Sequence, residues 1–62
     1  MFYLFDTTSG GFYTGRAGDS WVMADESEAF GYESEAVAQR KADMFNKNRR
    51  LHGKCFEVVC NG

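Results

Sequence analysis

Three side chains near one end of the sequence have the chemistry to hold a metal or attack an electrophile: His52, Cys55 and Cys60. Their array, His-x-x-Cys-x4-Cys, lacks a fourth ligand and departs from the spacing of structural zinc sites. A cysteine nucleophile needs a histidine oriented by a third group, and none is evident. The pattern gives no catalytic residue, no metal site and no cofactor. The two cysteines fall within one expected strand, where their Cα atoms would stand ~16 Å apart. That is beyond disulfide reach. They read as free thiols, which suits a reducing, cytoplasmic setting.

Gly15-Arg16-Ala17-Gly18 has the composition of an anion-cradling loop, with Arg16 as a clamp. It lacks the Gly-Lys-Ser of a P-loop. Strands are expected on both sides of it, so a turn needing two glycines is the simpler reading.

Charge is the other candidate carrier of function. The net charge of the 62-residue chain is −2, but the signs are segregated. Asp19, Asp25, Glu26, Glu28, Glu33 and Glu35 stand in a stretch without Lys or Arg. Arg40, Lys41, Lys47, Arg49, Arg50 and Lys54 follow, with Asp43 among them. Arg40, Lys47, Arg49, Arg50 and Lys54, with Arg16, are the candidate nucleic-acid contacts, through phosphate. A solvated helix face complementing the helix dipole explains the same bases, and negative net charge disfavours nucleic acid. The two-sign pattern also permits a homodimer, acidic loop against basic helix.

These groups need elements to position them. Met1–Asp6 is rich in β-formers, and Thr7-Thr8-Ser9-Gly10-Gly11 ends it in a turn. Phe12–Thr14 completes a hairpin, the two glycines being expected to supply positive φ. Trp21–Met23 reads as a third strand, Asp25–Ala29 as a loop or single helical turn, and Phe30-Gly31-Tyr32 as a short edge strand. Ser34 is a natural N-cap, with Glu35 in the first turn. A helix from Glu35 to about Arg50, stopped by Gly53, follows from the absence of Gly and Pro between them. Val37, Ala38, Ala42, Met44 and Phe45 fall on one broad face. Lys41 falls near its middle, its stem covering apolar surface or its charge awaiting a partner. Asp43 and Lys47 are spaced as an i,i+4 pair. Lys54–Cys60 is a final strand, with Phe56 and Val58 expected under the helix, and Asn61-Gly62 a tail. The first apolar run is too short for a signal peptide or membrane span, and no membrane association is expected.

The expected fold is therefore α+β, an antiparallel sheet of three to four strands with one amphipathic helix on one face, in order β-β-(β)-α-β and as a single domain. A chain this short exposes ~40% of its unfolded surface even when folded, and its ten aromatics must supply much of the core. Ligand pockets of several hundred Å³ are hard to enclose in such a body, which lowers the case for an enzyme. Tyr13-Thr14-Gly15-Arg16, Trp21, Glu28-Ala29-Phe30, Glu35-Ala36 and Phe56-Glu57-Val58-Val59 occur in an order that resembles small orphan proteins of phages, prophages and plasmids. Those have a hairpin with a Thr-Gly turn, a Trp, a capped helix and a last strand. The resemblance implies an accessory protein acting on a host or competitor protein, and the function expected from the residues is that of a non-catalytic protein-binding module. Trp21, Tyr13, Tyr32, Arg16 and Lys41 are the candidate partner contacts, since Trp, Tyr and Arg dominate binding hot spots.

Overall fold

A continuous run of β-forming side chains, Phe2 to Phe5, ended by Asp6, makes Phe2–Asp6 the first strand, β1. In the computed structural model, which describes residues 1–60, β1 lies inside a four-stranded sheet. Gly11–Tyr13 (β2) pairs with one side of it and Phe56–Cys60 (β4) with the other. Val22–Met23 (β3) adds to β2, giving the order β3-β2-β1-β4, antiparallel throughout. The expected tail, Asn61 and Gly62, lies outside the described residues.

The hairpin turn is built on Asp6. Its carbonyl accepts from Gly10 N at 2.8 Å, and Gly10 holds φ +78°. Only the first of the paired glycines takes positive φ. Gly11 belongs to β2 and is needed for closeness: a Cβ there would come 2.7 Å from Val22 Cγ1. The third strand is shorter than expected, because Trp21 ends a 3-10 turn over Gly18–Ser20 and turns inward. Asp25 caps a second 3-10 turn, Glu26–Glu28, by accepting from Ser27 N. The expected Phe30–Tyr32 strand reduces to one bridge, Phe2 with Tyr32.

The main helix, α1, runs Glu35–Lys47, and Ser34 Oγ accepts from Val37 N at 3.4 Å. It ends sooner than its composition suggests. Asn48 leaves helical geometry and donates from Nδ2 to Met44 O at 3.3 Å, a side-chain bond of the kind that competes with helix continuation. A single further turn, α2, covers Arg49–His52 and stops at Gly53. Asp43 accepts from Gln39 Nε2 at 3.0 Å, and the expected Asp43–Lys47 pair is not formed. The buried stripe of α1 is also narrower than expected. Ala38 and Ala42 are fully buried, while Val37 and Met44 are about half exposed at 46% and 45%. Two alanines let the helix axis approach the sheet, so residues to either side of the stripe overhang it.

Leu4, Ala38, Ala42 and Phe56 form the buried core. Phe2, Tyr13, Trp21, Val22, Tyr32, Phe45 and Val58 pack around it. As expected, Phe56 and Val58 lie beneath the helix. One polar side chain ties helix to sheet. Asn46 accepts from Phe56 N at 2.8 Å and donates to Phe56 O at 3.0 Å. It thereby occupies part of the outer edge of β4, where an unpaired strand would otherwise offer itself to other chains. Asn46→Ala leaves both backbone groups of a buried residue without partners, and we expect a loss of about 1–3 kcal/mol in urea unfolding. A loss within experimental error would show that water replaces the amide without cost.

Candidate functional site

Tyr13 is the node from which the candidate partner residues can be placed. Its ring meets Phe45 at 4.9 Å between centroids, Phe30 at 6.3 Å and Trp21 at 6.4 Å. Phe30 in turn meets Tyr32 at 4.9 Å. Lys41 reaches in from α1, with Nζ 5.1 Å from the Phe45 centroid and 6.0 Å from that of Tyr13. Its ammonium sits over ring faces, where the quadrupole is attractive, and it makes no ion pair among the described residues. Burial, aided by the charge of Tyr13, pushes the Tyr32 hydroxyl up to about 12. Phe30 is 45% exposed and completes a seam between β2 and α1. It packs over Gly15, where a Cβ would lie 2.6 Å from its ring.

Of the five candidates, Tyr13, Tyr32 and Lys41 thus converge. Trp21 sits behind them, engaged by Phe45 and Phe56 at 5.6 Å each and by His52 at 5.2 Å. It is half-buried core, not an exposed anchor. Tyr13 likewise packs against the core while its ring carries the Lys41 ammonium of the seam. Arg16 is exposed and paired with Glu28, so it is no free clamp for an anion. Its loop is closed by Thr14, whose hydroxyl donates to Ser20 O at 2.6 Å and accepts from Arg16 N at 3.2 Å.

The candidate nucleic-acid residues of the helical segment divide between two depressions. Arg40 and Lys47 line an open groove on the outer side of α1 with Asp43, Met44 and Asn46. Arg49, Arg50 and Lys54 line a different depression, with Thr8, Gly53 and Cys55. Lys54 is also engaged by Asp6, Nζ to Oδ2 at 3.4 Å.

His52 has a structural role. Nδ1 accepts from Lys54 N at 3.1 Å, which places the proton on Nε2, 2.8 Å from Phe45 O. Both nitrogens are occupied in closing the helix end. Cys55 is half-buried and Cys60 exposed, both as thiols. Among the described residues, no three His, Cys, Asp or Glu side chains converge as a metal site.

Two features were not anticipated. Asp6 is completely buried. Its carboxylate accepts from Thr8 N at 3.0 Å, Ser9 N at 3.2 Å, Ser9 Oγ and Cys55 N at 3.3 Å, beside the Lys54 ammonium. Burial alone would raise its pKa; the hydrogen bonds from Ser9 and Thr8 and the Lys54 charge outweigh that and hold it below the ordinary value. The Asp-Thr-Thr-Ser-Gly run carried the signal, since Asp at a turn start bonds the following amides. The second feature is the sheet face turned away from the helix. Met23, Phe12, Phe5 and Glu57 form one row across all four strands. Tyr3 and Val59 form the next. Phe12 packs edge-on against Phe5 at 5.3 Å and Tyr3 at 6.3 Å. Short strands with apolar residues at both parities already implied a sheet apolar on two sides.

Among the described residues, no helix is long and apolar enough to cross a membrane. Compared with known proteins, the chain matches no family model, no curated protein and no solved structure.

Proposed function

We propose that the chain is a non-catalytic protein-binding module, and that the seam of Phe30, Tyr32, Tyr13 and Lys41 receives the partner. The observation that carries this reading is the Lys41 ammonium held over two rings with no carboxylate partner among the described residues. An exposed phenylalanine stands in the same ring cluster. A cation on an aromatic surface suits a segment bearing a carboxylate next to apolar side chains. The carboxylate would meet Lys41 in a partly desolvated setting, where such pairs fix register, and the apolar groups would cover Phe30 and Tyr32. The resemblance to phage and plasmid accessory proteins supports a cytoplasmic host protein as the partner, by analogy of fold.

The test is retention of a bacterial protein at one-to-one yield on the immobilised chain. Lys41→Glu and Phe30→Ser should each weaken retention by about tenfold or more, and Lys41→Arg should preserve it. Circular dichroism checks that the variants fold. Retention that is indifferent to both substitutions, or no retained protein at all, overturns the reading.

A second reading, binding of nucleic acid, draws on one observation. Arg40, Lys47, Arg49 and Arg50 are exposed and make no ion pairs among the described residues. Oligonucleotide binding should then fall steeply with salt. No mobility shift at low salt, with either single-stranded or duplex DNA, removes this alternative.

A further inference from the structure

The described part of the molecule has one covered sheet face and one uncovered one. The covered face holds the core, yet that core has only four buried hydrophobic residues, two of them alanine. The uncovered face carries three aromatic rings, Tyr3, Phe5 and Phe12, each half-buried only by its neighbours. Met23 stands at one end of the main row, 37% exposed. Met1, 55% exposed, meets Tyr3 above Gly31, where a Cβ would touch both. Glu57 is the only formally charged strand residue on this face, and it occupies the β4 end of the row.

We infer that this face is covered by a second copy of the chain, packed sheet to sheet about a two-fold axis parallel to the strands. That axis reverses the row. Phe12 of one copy then lies over Phe5 of the other, and Met23 lies over Glu57. Rings meet rings in the centre, while the two carboxylates end at opposite rims and stay hydrated. A two-fold axis across the strands would instead bring Glu57 onto its own copy, at a cost in repulsion. The row therefore has the self-complementarity that an isologous interface requires. Face-to-face sheets pack ~10 Å apart with strands within ~30° of alignment, which this arrangement permits. A nucleic acid is a poor occupant, because the one charged strand residue on the face among the described residues is a carboxylate, Glu57. Two such faces together remove on the order of 1,000 Å² from water, the lower bound for a specific interface.

This inference is independent of the Lys41 seam, which lies on the helix side of the sheet. Sedimentation of the purified chain from about 1 μM to about 1 mM tests it. The expected result is a monomer–dimer equilibrium that raised salt does not weaken. Met23 supplies the decisive pair of variants, since it lies at the rim and away from the core. Met23→Glu sets a carboxylate against the partner copy's Glu57 and should weaken dimerisation by about tenfold. Met23→Lys creates an ion pair at the same place and should strengthen it severalfold. Phe12→Glu should abolish the dimer, with circular dichroism reporting whether the monomer is folded. A monomer at every concentration overturns the inference. So does a dimer on which the two Met23 variants act alike. So does a dimer that salt dissociates and Arg40→Glu abolishes, which would be the acidic-loop-to-helix association instead.

Discussion

Asp6→Asn is expected to destabilise the protein by about 3–5 kcal/mol, since more than one donor to the buried carboxylate loses its acceptor, at about 1–3 kcal/mol each. Against a total stability of about 5–15 kcal/mol, that is enough to unfold a large fraction of a small domain. The carboxylate gathers donors from both sequence ends: Thr8 and Ser9 in the hairpin turn, and Lys54 and Cys55 just before β4. An asparagine keeps one acceptor but turns an N–H₂ toward groups that themselves donate. Stability should also depend on pH in a way the variant lacks. The folded pKa of Asp6 lies below the ordinary 3.8. Its contribution is therefore fully present above that ordinary value and is lost as pH falls through the lower, folded one. Urea midpoints measured across the acid range should drop for the wild type and flatten for Asp6→Asn. A variant within about 0.5 kcal/mol of the wild type would place Asp6 among ordinary surface residues and refute this account.

Phe56→Ala is expected to cost about 3–5 kcal/mol, at the upper end for core truncations. Phe56 is 2% exposed. Its ring lies between those of Phe45 at 5.2 Å, Trp21 at 5.6 Å and His52 at 6.2 Å. Loss of the ring leaves a void that the site cannot readily close. The overlying helix is already close to the sheet through Ala38 and Ala42, and Asn46 of the same helix fixes the strand position. Near-UV circular dichroism gives a local readout, because Trp21 loses one of its four ring neighbours and its signal should fall. Leu51→Ala is the control. Leu51 is 86% exposed, and its truncation should shift stability by no more than about 0.5 kcal/mol. If the two variants unfold at the same urea concentration, the proposed core is misplaced.

Local chemistry made much of the fold legible. The hairpin turn at Gly10, the Ser34 cap, the stop at Gly53 and the last strand with Phe56 inward all follow from short-range rules: positive φ, orphan amides and period-two alternation. Lys41 was visible as an anomaly, a charged residue at an apolar helical position. The helix break at Asn48 was not anticipated, because it combines a local side-chain bond with His52 packing on Trp21, 31 residues away in sequence. The width of the buried helical stripe also escaped, since it depends on how closely two alanines let the helix approach.

The candidate partner residues show the same division. Residue type marked out Tyr13, Trp21, Tyr32, Arg16 and Lys41, but exposure depends on which face each strand residue takes and on what covers that face. Trp21 turns inward and Arg16 finds Glu28, whereas Phe30, Phe5, Phe12 and Tyr3 are left at the surface. The sequence by itself determined an α+β chain with one capped helix, two free thiols and opposite charges in its two halves, because these follow from residue type and near neighbours. Only the tertiary structure decided that Asp6 is the buried junction of hairpin and last strand, that Lys41 rides on two rings, and that one sheet face is left open by the described residues. Each of these depends on long-range strand register, in which a shift of one residue exchanges the two faces of the sheet.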